Sequence, residues 1–222
     1  IAGLVKGASK GEGLGNKFLS HIRETDSILE VVRCFEDPNV IHVDGSVDPI
    51  RDIDTINIEL VLADMETVNK RIERAAKLAK GDKKYYAEEE AFKKIRDVLE
   101  KGNPARMAEL SDEEKELVKD AFLLTMKPIL YVANISEDDI GKSDNEYVKK
   151  VKEFAKKENA QVITLCVKIE EELSALEGED KKEMLEAIGL EESGLDKVIK
   201  ASYDLLGLMS FLTAGKKEVR AW

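Results

Sequence analysis

Residues able to bind a ligand gather at the ends of three apolar runs. Ile1-Ala2 leads into Gly3, Gly7, Gly11, Gly13 and Gly15, with Lys6 and Lys10 between them. Glycine at that density allows positive φ and close approach of backbone to a ligand. Asn134-Ile135-Ser136-Glu137 closes the run from Pro128 to Ala133, and Cys166-Val167-Lys168 closes the run that begins at Val162. Parallel sheets bind ligands at the carboxyl ends of their strands, so these three places would rim one crevice. A phosphate-cradling loop needs Gly-x-x-x-x-Gly-Lys-Ser/Thr. The nearest fit, Gly141-Lys142-Ser143, puts Ser136 where the first Gly belongs, and Glu137, Asp138 and Asp139 would repel phosphate. Ser143 therefore reads as a helix cap. His21 has no ligand partner at metal spacing and reads as a surface or packing residue.

The elements that must hold these residues follow from hydrophobic period. Phe18, Leu19 and Ile22 mark a helix to about Thr25, and Ile28 to Cys34 is a short apolar run that predicts a strand buried on both faces. Pro38, Gly45 and Pro49 mark residues 36–50 as a loop. From Asp52 to about Lys80 apolar residues recur at three- and four-residue steps; Gly81-Asp82 breaks the pattern, which resumes through Phe92, Ile95 and Leu99 until Gly102-Asn103-Pro104 stops it. That predicts an antiparallel helical hairpin with its tip near residues 80–84. Ser111 with Glu114, and Ser143 with Glu146, match capping boxes. Strands at 128–134 and 162–167, with helices near 143–157, 170–177, 180–188 and 195–207, predict an α/β fold whose parallel sheet is interrupted by the hairpin.

The 222 residues carry 35 Lys and Arg against 46 Asp and Glu, a net charge of −11. A hydrophobic share of 43% suits a folded globular chain. No apolar run approaches the ~18–20 residues of a membrane span. Two cysteines, Cys34 and Cys166, exclude a disulfide scaffold and point to a reducing cytosol. The start at Ile1, as if at the end of a buried strand, predicts an internal piece of a longer protein.

Ile1 to Leu19 closely resembles the switch II region of the Obg-related GTPases, and Ile22-Arg23-Glu24-Thr25-Asp26 with Val31-Val32-Arg33-Cys34-Phe35-Glu36 narrows the resemblance to the YchF branch, the Obg-like ATPases. Phe211 to Gly215 and Lys217 to Trp222 look like that family's connection into a C-terminal TGS domain. The resemblance implies a P-loop NTPase fold with an inserted helical coiled coil. On it, residues 1–50 are the first retained part of the nucleotide-binding domain, 51–118 the coiled coil, 119–209 the second part of that domain, and 210–222 the connection. It further implies hydrolysis of ATP or GTP with Mg²⁺, a cytoplasmic site of action, no membrane, and association with the ribosome or RNA. The P-loop and switch I would lie before Ile1, so the chain by itself is expected to be inactive and to hold no metal. The alternative is a helical module that binds RNA or protein, with the nucleotide fold only as its switch.

Residue by residue, Gly3 would turn its N–H to the γ-phosphate, and Leu4 stands where Ras-like enzymes have the Gln that orients water. Leucine cannot bond water; the family's candidate for that task is a histidine in the loop after the next strand, a place His42 matches. Otherwise His42 is an ordinary loop histidine. The base-recognition loop of GTPases reads Asn-Lys-x-Asp, where the Asp accepts guanine N1–H and the exocyclic amine. Here Ile135 replaces the Lys and Glu137 the Asp, and one extra methylene misplaces the carboxylate, so guanine selection is lost. Asn134, Ile135, Glu137, Cys166 and Val167 are the nucleotide-binding candidates.

Between Lys70 and Lys84 stand seven basic and two acidic residues, a local charge of 7 − 2 = +5. Lys77, Lys80, Lys83 and Lys84 are the candidates for contact with phosphate backbone. The plainer expectation is a solvated helical face with i,i+4 pairs.

Overall fold

The structure is a computed structural model that describes residues 15–42 and 45–222, and side chains from Phe18 onward. The Gly-rich stretch before Gly15, with Gly3 and Leu4, lies outside the described residues. The described chain forms two compact units, one from residues 15–28 and 48–128, the other from residues 29–47 and 129–222.

The second unit is built on a sheet of β1 (Ile28–Arg33), β2 (Ile129–Asn134) and β3 (Gln161–Leu165), in that spatial order. β2 and β3 are parallel, with Leu130 opposite Gln161 and Asn134 opposite Leu165. Backbone bonds from Ile28 N–H to Pro128 O (3.0 Å) and from Cys34 N–H to Asn134 O (2.8 Å) run β1 in the same direction. The central strand has every residue from Ile129 to Ala133 buried. β1 departs from the sequence expectation of burial on both faces. Val32 and Cys34 are buried, while Leu29 and Val31 are 41% and 62% exposed. As an edge strand it is covered on one face among the described residues, and its side chains alternate accordingly.

Helix α5 (Glu146–Lys157) packs on β2 and β3, where buried Tyr131 meets Phe154 edge to face at 5.9 Å and donates its hydroxyl to Glu158. The helix begins two residues later than a Ser143 capping box predicts. Asn145 is the cap, its Oδ1 accepting Val148 N–H at 2.9 Å. An amide carries donors as well as an acceptor, and Asn145 uses them elsewhere, as described below. Helices α6 (Val167–Ser174), α7 (Gly178–Ala187) and α8 (Gly194–Leu206) follow. The Glu170 carboxylate accepts N–H bonds from Gly194 (2.7 Å) and Leu195 (3.0 Å), which seats the start of α8 against β3. A Cβ on Gly194 would lie 2.6 Å from Leu165 Cβ, so only glycine permits that approach. A short antiparallel hairpin, β4 (Leu212–Ala214) with β5 (Val219–Ala221), ends the unit.

Cys34 is fully buried, and burial pushes its thiol up to about 12. At pH 8 only about one molecule in ten thousand then carries the reactive thiolate. Native protein should leave Cys34 unalkylated by iodoacetamide, and unfolding in urea should expose it, as read by peptide mass spectrometry. Rapid labelling of the native protein would contradict the burial.

The first unit is helical: α1 (Gly15–Arg23), α2 (Pro49–Ala79), α3 (Tyr85–Leu99) and α4 (Asp112–Val118). α2 starts earlier than the loop reading of residues 36–50 allows. Pro49 sits in its first turn and Asp48 caps it, accepting from Ile50 and Arg51 N–H. Proline suits that place because its missing N–H would be unpaired there anyway. α2 and α3 form the expected hairpin, with Val61 and Val68 in one apolar cluster with Phe92, Ile95 and Leu99. The Ser111–Glu114 capping box is present in both directions, at 3.2 and 2.9 Å. A second cluster joins Leu19, Leu60, Ala63 and Leu124.

Asp64 on α2 is an ionisable residue in a buried position. It accepts Leu124 N–H (2.8 Å), Thr125 N–H (2.7 Å) and the Thr125 hydroxyl (2.7 Å), with Arg23 at 3.6 Å. Burial pushes its carboxyl up, and those bonds and the Arg23 charge pull against that rise. No described helix is long and apolar enough to cross a membrane.

Candidate nucleotide site at the strand ends

Chain polarity puts the loops after β1, β2 and β3 at the same edge of the parallel sheet. The β2 and β3 loops are joined twice. Asn134 Oδ1 accepts Val167 N–H at 3.0 Å, and Glu137 pairs with Lys168 at 2.7 Å. Glu137 opens a one-turn 3-10 helix, Glu137–Asp139, and its carboxylate is about half exposed. The pairing raises the Lys168 pKa, and Val167, next to Lys168 in the chain, is 45% exposed. Ile135 is buried, its N–H bonded to Leu165 O, and Cys166 is buried at the start of α6. The strand-end candidates Asn134, Ile135, Glu137, Cys166 and Val167 thus come together. Within the group, Asn134, Glu137 and Val167 present polar or accessible atoms, while Ile135 and Cys166 are buried.

The β1 loop is tied to the β2 loop by Asn145, whose Nδ2 donates to Cys34 O and to Asp139 Oδ2, both at 2.9 Å. Tyr147 adds a hydroxyl bond to Glu36. His42 lies farther along that loop. It lines an open concavity of about 500 Å³ formed within residues 33–47, with Arg33, Glu36, Asp37 and Ser46 among its walls. The His42 carbonyl accepts Gly45 N–H at 3.0 Å.

Over its whole length the chain is 60% identical to the ribosome-binding ATPase YchF of Bacillus subtilis and 51% identical to that of Haemophilus influenzae. It also matches the structure of the Schizosaccharomyces pombe YchF GTPase over its whole length, with a TM-score of 0.84 at 38% identity. Along its whole length the chain is similar to proteins of the YchF family. It spans 61% of the length of each of these three relatives. A scan against models of protein families returned no match.

Three residues of this candidate site escape a reading by motif. Lys168 holds Glu137, Asn145 ties two loops, and Arg33 gathers the loop that leads to His42. Asn145 carries a visible signal, since Asn at a helix start is as good a cap as Ser. The basic candidates Lys77, Lys80, Lys83 and Lys84 lie exposed at the end of α2 and in the turn after it. Lys70 pairs with Glu66, Arg71 with Asp120 and Lys84 with Asp82. Among the described residues, Arg74, Lys77, Lys80 and Lys83 have no ion-pair partner. Also among the described residues, no group of three or more His, Cys, Asp or Glu is arranged to hold a metal ion.

Proposed function

We propose that the chain supplies the base-binding half of a nucleotide-binding and hydrolysing domain of the P-loop NTPase type, cytoplasmic, acting on ATP or GTP in association with the ribosome. The carrying observation is the Asn134–Val167 bond, which couples the β2 and β3 loops at the carboxyl edge of a parallel sheet. In this reading Asn134 rigidifies the base loop, Val167 offers an apolar contact to the ring, and Glu137, held by Lys168, faces its edge. His42 positions the attacking water, the task that Leu4 cannot perform. Gly3 meets the γ-phosphate through its backbone. Mg²⁺ would accompany the nucleotide, and the described residues offer it no cluster of three or more His, Cys, Asp or Glu. The relatives' names support the activity and the ribosomal partner. The corresponding domain reading is that residues 1–50 and 119–209 form the nucleotide-binding domain, 51–118 the coiled coil and 210–222 a connection.

Calorimetric titration of the full-length protein with ATP and with GTP tests this. Binding of ATP at least as tight as GTP is expected, since Glu137 lacks the reach to pair guanine in register. Asn134→Ala should weaken the preferred nucleotide up to about tenfold, the cost of one loop-coupling hydrogen bond. Absence of binding to either nucleotide, or an unchanged affinity in Asn134→Ala, would remove the site assignment.

A second reading has its own observation. The unpaired cations at the hairpin tip suit a module that docks RNA or protein, with the nucleotide fold as a switch.

A further inference from the structure

The Arg33 guanidinium makes an unusual number of bonds within a single loop. Its Nε donates to Phe35 O at 3.0 Å, one terminal nitrogen to Val40 O at 2.9 Å, and the other to Asp37 O at 3.4 Å. The same group lies over the Phe35 ring, 4.9 Å from its centroid. Three carbonyls between Phe35 and Val40 therefore converge on one planar cation. A guanidinium meets this demand with donors fixed in a plane; an ammonium on a flexible stem does not.

The strand explains why the bonds stay local. Side chains alternate along β1, so Arg33 leaves the sheet on the face opposite buried Val32 and Cys34. The bonds just described reach no farther than Val40, and none goes to another element. Val40 is two residues from His42, and both residues and Arg33 line the same concavity.

We propose that Arg33 is the positioning residue for His42, holding the loop in the shape that presents the imidazole to the attacking water. This rests on the reading of His42 as the residue that positions that water. Loss of the guanidinium frees the loop between Phe35 and Val40, and a misplaced imidazole lowers turnover without touching the base loop.

The test is a double-mutant cycle in the full-length protein with ATP, measuring kcat and nucleotide Kd for Arg33→Ala, Arg33→Lys, His42→Ala and the Arg33→Ala/His42→Ala pair. Arg33→Ala should lower kcat about tenfold with Kd within about twofold, and Arg33→Lys should recover little of it. In the double variant kcat should match His42→Ala within about twofold, because a residue acting through another adds nothing once that other is gone. Multiplicative losses in the pair, a normal kcat in Arg33→Ala, or parallel losses of Kd and kcat would each overturn the positioning role and leave the His42 reading standing. Wild-type turnover in His42→Ala would sink the reading and the proposal with it.

Discussion

Replacing Asp64 by alanine should lower the stability of the helical unit by about 3–5 kcal/mol. Asp64 is fully buried on α2, and three donors end on its two oxygens. The substitution leaves Leu124 N–H, Thr125 N–H and the Thr125 hydroxyl without an acceptor in an apolar interior, and each such orphan costs about 1–3 kcal/mol. It also strips Arg23 of its carboxylate neighbour at 3.6 Å. Arg23 retains bonds to Thr67 Oγ1 (3.1 Å) and to Phe122 O (3.2 Å). The second of these helps hold Phe122 at φ 48°, a left-handed conformation that a bulky side chain enters only under constraint. Asp64→Asn is the informative control. Its single carbonyl oxygen can serve one backbone donor, while its own NH₂ would oppose the other, so it should recover less than half of the loss. Thr125→Val should cost about 1–3 kcal/mol, since that hydroxyl also accepts Ala105 N–H at 2.9 Å. Urea midpoints at constant m-value give these differences, and amide exchange in α2 and α3 localises them. An Asp64→Asn variant as stable as wild type would mean that the carboxylate is not what holds this segment.

Asp64 also shows where sequence reading stops. It lies among Glu59, Glu66 and Glu73 on a long charged helix, and nothing in its spacing separates it from a solvated acid. Its role depends on Leu124 and Thr125, about sixty residues away, and helical periodicity carries no such contact. The helical hairpin was legible because its signal is local: apolar steps of three and four, broken at Gly81-Asp82. The Ser111 cap was legible for the same reason, and β2 because a run buried on both faces is continuous. Among the described residues the equally apolar β1 occupies an edge position, and edge against centre is a property of the sheet. At the strand ends, Asn134 and Glu137 stand out by type and place. Lys168 and Arg33 do not, because one ion pair and a set of carbonyl contacts leave no spacing pattern behind. The start of α5 shows a milder version. Ser143 fits the capping-box pattern, but Asn145 satisfies the helix and two neighbouring loops at once, and the residue meeting more demands becomes the cap.

Reversing charge at the hairpin tip should have the largest effect on the ribosomal association proposed for this chain. Arg74, Lys77 and Lys80 lie at steps of three, within an arc of about 120° on a helix of about 100° per residue, and Lys83 follows in the turn. These four cations are exposed and, among the described residues, unpaired, which separates them from Lys70, Arg71 and Lys84. A surface face maintained only for solubility would be expected to pair its lysines at i,i+4, as Lys70 does with Glu66. Cations left free in a chain of net charge −11 instead keep a local positive field that phosphate backbone can neutralise. Glutamate at Lys77, Lys80, Lys83 and Lys84 together should weaken ribosome co-sedimentation on the order of a hundredfold or more. It should also flatten the salt dependence by about one unit of log–log slope for each phosphate that the tip no longer neutralises. Lys84→Glu alone should do least, because Asp82 already neutralises that ammonium; Arg74→Glu should do more. Unchanged pelleting across a salt series would return the tip to a plain solvated face. Repeating the series with and without ATP then separates the two functional readings. Coupling between sites is reciprocal, so a tip that serves a nucleotide-driven cycle must bind with an affinity that depends on nucleotide, and a tip that only anchors the protein need not.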